Sequence, residues 1–165
     1  MTQPLNVVGE AREISTGVRE AATLAEGLTD ILADTYRLTF KTHAYHWNVE
    51  GPLFFAIHNL TEGQYEEMFA AADEIAERVR AIGQMAPMTM DQIMSNSVIE
   101  DAHTSPSAGE MCDILAKDHE RVAHRLHALI KIAGEKHDPV TEDLATSRAA
   151  FHEKAAWMLK AMTAQ

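Results

Sequence analysis

Between the Gly51-Pro52 break and Gly83 the chain places Ile57, Leu60, Gln64, Met68, Ala71, Ile75, Val79 and Ile82 at helical spacing. Counting roughly 100° per residue from Ile57, this mostly apolar stripe stays within about 60° on either side. Residues 53–82 therefore read as one helix with a single face committed to a core. His58, Glu62, Asp73 and Glu77 fall at roughly 100°, 140°, 160° and 200° on the same count, away from that core. Phe55, Tyr65, Phe69 and Ala76 share their side. A solvated face should be long-chained and charged, so aromatic and small residues among carboxylates indicate contact with another subunit.

The spacing within that outward sector is restrictive. His58–Glu62 and Asp73–Glu77 are each four positions apart, and such a pair can reach one ion from one helix face. The two pairs lie fifteen positions apart, roughly 22 Å at a rise of 1.5 Å per residue. Metal bonds to nitrogen and oxygen are about 2.0–2.2 Å. One chain cannot wrap both pairs around one metal; if all four are ligands, two chains share the site. Either pair alone has an ordinary explanation as solvated acids or a helix-surface hydrogen bond. Their common sector and apolar neighbours favour the metal reading. So does the repulsion between like charges four apart, which a cation at Asp73–Glu77 would relieve. Imidazole nitrogen with carboxylate oxygen suits iron, zinc or manganese.

The rest of the chain reads as all-α. A first helix is expected over 17–47, with Leu24, Leu28, Ile31, Leu32, Thr35, Thr39, His43 and His46 on one face, ended by Gly51-Pro52. Residues 84–106 are too long for a tight turn and hold a short helix near 91–95. Such a crossover suits a four-helix bundle with one long connection between helices 2 and 3. Ser107 and Glu110 form a capping box for the next helix, expected to stop at Gly134. Asp138-Pro139 caps the last, whose inner face reads as Val140, Leu144, Phe151, Ala155, Met158 and Met162. Residues 1–14 are expected to be a flexible tail and 15–165 the bundle. An intrachain di-iron site needs Glu from two helices and Glu-x-x-His from two more. The one such match, Glu100 to His103, lies in the crossover before a proline, which again moves a metal to the subunit boundary.

Charge and composition exclude several classes. A net charge of −11 argues against a general nucleic-acid surface and suits attraction of cations. The single cysteine, Cys112, excludes an internal disulfide framework and favours a reducing, cytoplasmic setting. The N-terminal residues lack the basic and apolar regions of a signal peptide, and no run approaches membrane-spanning length. Met85, Met88, Met90 and Met94 are read as packing residues rather than a soft-metal site.

His46-Trp47-Asn48, Gly51-Pro52-Leu53-Phe54, Ala56-Ile57-His58, Glu62 and Asp73-Glu-Ile-Ala-Glu77-Arg78, with Asp138-Pro139-Val140-Thr141-Glu142-Asp143 and Trp157, resemble the Dps mini-ferritins (DNA-binding proteins from starved cells). The resemblance implies a ferritin-like bundle assembled as a hollow dodecamer of 23 symmetry. It implies di-iron ferroxidase centres between two-fold-related subunits, His46 and His58 coming from one chain and Glu62, Asp73 and Glu77 from its partner. Position 62 is more often Asp in that family. The implied activity is oxidation of Fe²⁺, preferably by H₂O₂, with ferric mineral stored in the cavity and protection against oxidative damage. Trp47 would stand next to the site, as an interface aromatic before any trap for oxidising equivalents. The resemblance also implies an iron-admitting pore at Asp138, Glu142 and Asp143, although acids in a first helical turn are equally explained by the helix dipole. His43 reads as a buried neighbour of the site, and His119, His124, His127, His137 and His152 as surface or packing residues.

Two other functions remain open. DNA binding, with nucleoid association, is disfavoured because the first twenty residues carry Arg12 and Arg19 against Glu10, Glu13 and Glu20, with no Lys. A helical scaffold that binds metal without oxidising it is the third reading.

Overall fold

The computed structural model describes residues 4–101 and 104–164. Five α-helices follow a 3₁₀ turn at Pro4–Asn6: α1 (Ala21–Asn48), α2 (Phe54–Ala81), α3 (Met90–Asn96), α4 (Ala108–Glu135) and α5 (Pro139–Thr163). The described residues contain no strand. α1 pairs most closely with α2 and α4 with α5, the two hairpins closing on one core. The α2 stripe is the wall it was expected to be: Ile57, Met68, Ile75, Val79 and Ile82 are at most 1% exposed. No helix among the described residues is long and apolar enough to cross a membrane.

The ends of the helices show which local signals prevail. Ser107 and Glu110 close a reciprocal capping box, and Thr89 with Gln92 makes a second one at α3. Asp138 caps α5 by accepting from the Thr141 N–H, with Pro139 at the first turn. Helix α1 starts at Ala21 rather than 17, because Glu20 takes left-handed dihedrals (φ 50°) and Arg19 donates its N–H to Lys136 O at 2.9 Å. Gly134 does not stop α4. The helix runs through it to Glu135, and His137 (φ 57°) takes the left-handed turn instead.

The inner face of α5 differs from the expected one. Val140 is 57% exposed, and the buried line is Thr141, Ala145, Arg148, Ala149, His152, Ala155, Ala156 and Leu159. The larger apolar residues sit at its margins, because small side chains let α5 lie close to α4.

The crossover is held at its middle. Asp34, fully buried in α1, accepts from Ser97 Oγ (2.8 Å), the Val98 N–H (2.7 Å) and Arg125 Nη1 of α4 (2.8 Å). Ahead of α1, the Arg12 N–H donates to Gly83 O at 2.7 Å. Gly83 has φ +86°, and a Cβ there would lie 1.9 Å from Arg12 O. The segment expected to be a free tail thus has an attachment that only glycine admits.

Candidate metal centre

His46 lies in the last turn of α1 and His58 in the second turn of α2, brought together by the bend at Gly51 (φ +95°). Each ring donates from Nδ1 to the other residue's backbone carbonyl: His46 to His58 O at 2.9 Å and His58 to His46 O at 3.0 Å. The rings stack with centroids 3.7 Å apart and planes 19° apart. With both Nδ1 atoms bound as donors, the remaining lone pair of each imidazole sits on Nε2. A metal-ligating histidine is oriented in this way, by a hydrogen bond from its other nitrogen.

Around this pair the aromatic packing is continuous. His43 stacks on Tyr65 at 4.1 Å and 19°, and tilts against Trp47 at 4.0 Å; Tyr65 meets His46 edge-on at 5.2 Å. Trp47 is 58% exposed, which suits an aromatic awaiting a contact. Glu62 follows His58 by one helical turn. With Glu66, it lies close enough to Tyr65 to raise that phenol's pKa, after the larger effect of desolvation. Glu62 thus lies near Tyr65 and one turn from His58, about three turns before Asp73 on the same helix.

Asp73 and Glu77 are exposed on the outer face of α2, and among the described residues no side chain pairs with either carboxylate. They share that surface with Phe55 (77% exposed) and Phe69 (64%). Large aromatics so exposed beside carboxylates form an unpaired face. Among the described residues no three His, Cys, Asp or Glu side chains of one chain could hold a metal together. Ala102 and His103, the end of the lone Glu-x-x-His match, lie outside the described residues.

The three acids at the start of α5 have different environments. Asp138 is fully buried. It receives Arg78 Nη2 at 2.6 Å and Thr141 Oγ1 at 2.5 Å, and these partners outweigh desolvation, its largest single influence, to hold its pKa below the usual carboxylate value. Its role is to cap the helix. Glu142 is half-buried and Asp143 exposed. His119 and His152, read as packing or surface residues, form a buried pair that no local spacing signals.

A family model for the ferritin-like domain matches residues 25–165. Among curated proteins, an uncharacterised low temperature-induced protein of Nostoc is 38% identical over 135 residues, covering 81% of this chain and 75% of its own. DNA protection during starvation protein 2 of Bacillus anthracis is 37% identical over 140 residues, 85% of this chain and 96% of its own. Among solved structures, a Dps protein from Bacillus brevis superposes with a TM-score of 0.84 at 32% identity, covering 87% of this chain and 97% of that one.

Proposed function

This chain belongs to the Dps family of ferritin-like proteins, and from that premise we propose that it is an iron-sequestering ferroxidase whose centres are shared between subunits. His46 and His58 supply neutral Nε2 donors with Glu62 beside them, and the partner subunit's Asp73 and the partner subunit's Glu77 complete each site. The assembly is a hollow dodecamer in which Asp143, with Glu142, lines an inlet for Fe²⁺.

Iron is substrate and cargo here. Each Fe²⁺ gives up one electron, and two electrons reduce one H₂O₂, whose O–O bond breaks to leave both oxygens at the level of water. Hydrolysis of the Fe³⁺ product releases protons and leaves ferric mineral. The carboxylates favour this direction because hard oxygen donors bind Fe³⁺ more tightly than Fe²⁺. The chain's own contribution is positioning: the crossed Nδ1-to-carbonyl bonds fix both rings and leave Nε2 as the nitrogen available to a ligand. That locked pair, found beside an unpaired face whose other donors are out of reach within one chain, carries the proposal.

Subunit mixing tests it. His46→Ala/His58→Ala subunits and Asp73→Asn/Glu77→Gln subunits should each be inactive as homo-oligomers. After co-refolding, random pairing across two-fold interfaces should restore about a quarter of the wild-type Fe²⁺ oxidation, since each mixed dimer rebuilds one of its two sites. Inactive mixtures in properly assembled protein would exclude the shared site. The Bacillus anthracis relative's name speaks of DNA protection; in this chain that protection is proposed to come from removing Fe²⁺ and peroxide rather than from coating DNA.

A further inference from the structure

Across the middle of the bundle the apolar core is interrupted by one polar layer to which all four long helices contribute. α1 provides Thr42 and Tyr45, α2 Gln64, α4 His119, and α5 Arg148 and His152, none more than 7% exposed. Their level is set by contacts around them. The His43–Tyr65 stack places residues 42–43 of α1 opposite 64–65 of α2. Lys41 Nζ meets Asp118 at 2.5 Å, so the same turn of α1 faces 118–119 of α4. His119 Nδ1 lies 2.8 Å from His152 Nδ1. Arg148, one turn before His152, holds Glu67, nearly one turn after Gln64, at 2.8 Å through Nη2.

Among the described residues, every buried side-chain polar atom without a protein partner belongs to this layer: Thr42 Oγ1, Tyr45 Oη, both amide atoms of Gln64, Arg148 Nε, and the Nε2 atoms of His119 and His152. Unsatisfied groups are costly when buried dry, and accidental ones would be scattered through the fold. Their confinement to one level points to something that they bind in common.

We infer that this layer is an internal binding site for a small cluster of ordered water. The donor set decides the ligand. The Nδ1–Nδ1 bond forces opposite tautomers on the two imidazoles, so one Nε2 offers a lone pair and the other an N–H. Gln64 offers both an acceptor and donors, the two hydroxyls serve either way, and Arg148 Nε is a donor whose charge is already met by Glu67. An anion would face lone pairs as well as N–H groups. A metal cation would find few lone pairs and would sit beside a guanidinium. Water matches a mixed set, each molecule making two to four hydrogen bonds. Through Tyr45, the residue before His46, the layer reaches the histidine wall of the candidate metal centre, which then has a hydrated interior behind it. The inference stands on bundle geometry and does not depend on iron chemistry.

The test is a crystal structure of the full chain at a resolution that shows ordered water, with thermal melting of Gln64→Met, which keeps the side chain's shape and removes its amide. The expected result is water within hydrogen-bond distance of Gln64 and the imidazole Nε2 atoms, and a Tm for Gln64→Met at least about 3 °C below the parent, because its former partners lose a bridge. A dry layer in the crystal, or a Gln64→Met protein that melts above the parent, overturns the inference, since removing a partnerless amide from a dry core must stabilise it.

Discussion

His46 and His58 orient each other: the ring of each is fixed by the backbone carbonyl of the other, at 2.9 and 3.0 Å. The arrangement separates a structural nitrogen, Nδ1, from a free one, Nε2. In His58→Asn, the side-chain amide can replace the Nδ1 donor while nothing replaces Nε2. This variant is expected to keep its Tm within about 2 °C of the parent and to oxidise Fe²⁺ at least about tenfold more slowly. Oxidation at the parent rate would remove His58 from the site.

Gly83 joins the segment ahead of α1 to the end of α2. Gly83→Ala meets Arg12 O and must also hold a left-handed backbone, at a cost of about 1–2 kcal/mol for the dihedral alone. The expected outcome is a lower Tm together with faster limited proteolysis between residues 5 and 20. Unchanged cleavage would show that the Arg12–Gly83 bond does not anchor this segment.

Acid should destabilise the fold through its buried imidazoles. Burial, with the nearby Arg148 charge as the lesser cause, lowers the His119 pKa from 6.5 to about 3. Burial, followed by His119 and Arg148, puts His152 well below 6.5. Below pH 6.5 the unfolded chain takes up protons that the native pair refuses, so stability is fully present above that value and is lost as pH falls toward 3. The slope approaches about 1.4 kcal/mol per pH unit for each such proton. Urea unfolding between pH 7 and pH 4 should show this loss, and His119→Phe should flatten it. An equal pH dependence in that variant would place the acid sensitivity elsewhere.

Duplex DNA is expected to show no gel shift at physiological salt. Each subunit carries −11 and its first twenty residues offer two arginines against three glutamates, too few cations to release the counterions that drive such binding. A clear shift under those conditions would reverse this prediction.

What could be read from residue order followed the range of the interactions. Periodicity placed the α2 core face. Local chemistry placed the Ser107–Glu110 box, the Asp138-Pro139 start of α5 and the short crossover helix, expected near 91–95 and found at Met90–Asn96. Signals that compete with tertiary contacts misled. Gly134 looked like a terminator, but α4 continues past it. The real end comes where His137 turns left-handed and Lys136 bonds Glu20, the residue just ahead of α1, at 2.6 Å. Apolar size points to the wrong inner face of α5, because close approach to α4 favours alanines and admits Arg148 and His152. Asp138 reads both as the cap of α5 and as a pore acid; the cap is there, whereas its partner Arg78, sixty positions away, is invisible to local reading. The His119–His152 pair spans thirty-three positions and carries no motif. At the candidate metal centre the ligand types and their spacing were legible. The crossed imidazole–carbonyl bonds were not, since they depend on how the Gly51 bend lays α2 against α1.

The tie at Asp34 also has a mechanical consequence. The long connection between α2 and α4 is fastened through Ser97 and Val98 to a carboxylate with no exposure, which Arg125 of α4 grips as well. The connection cannot slide along the bundle without leaving that charge buried and short of partners, so a stretch that looks slack in sequence acts as a clamp across α1 and α4.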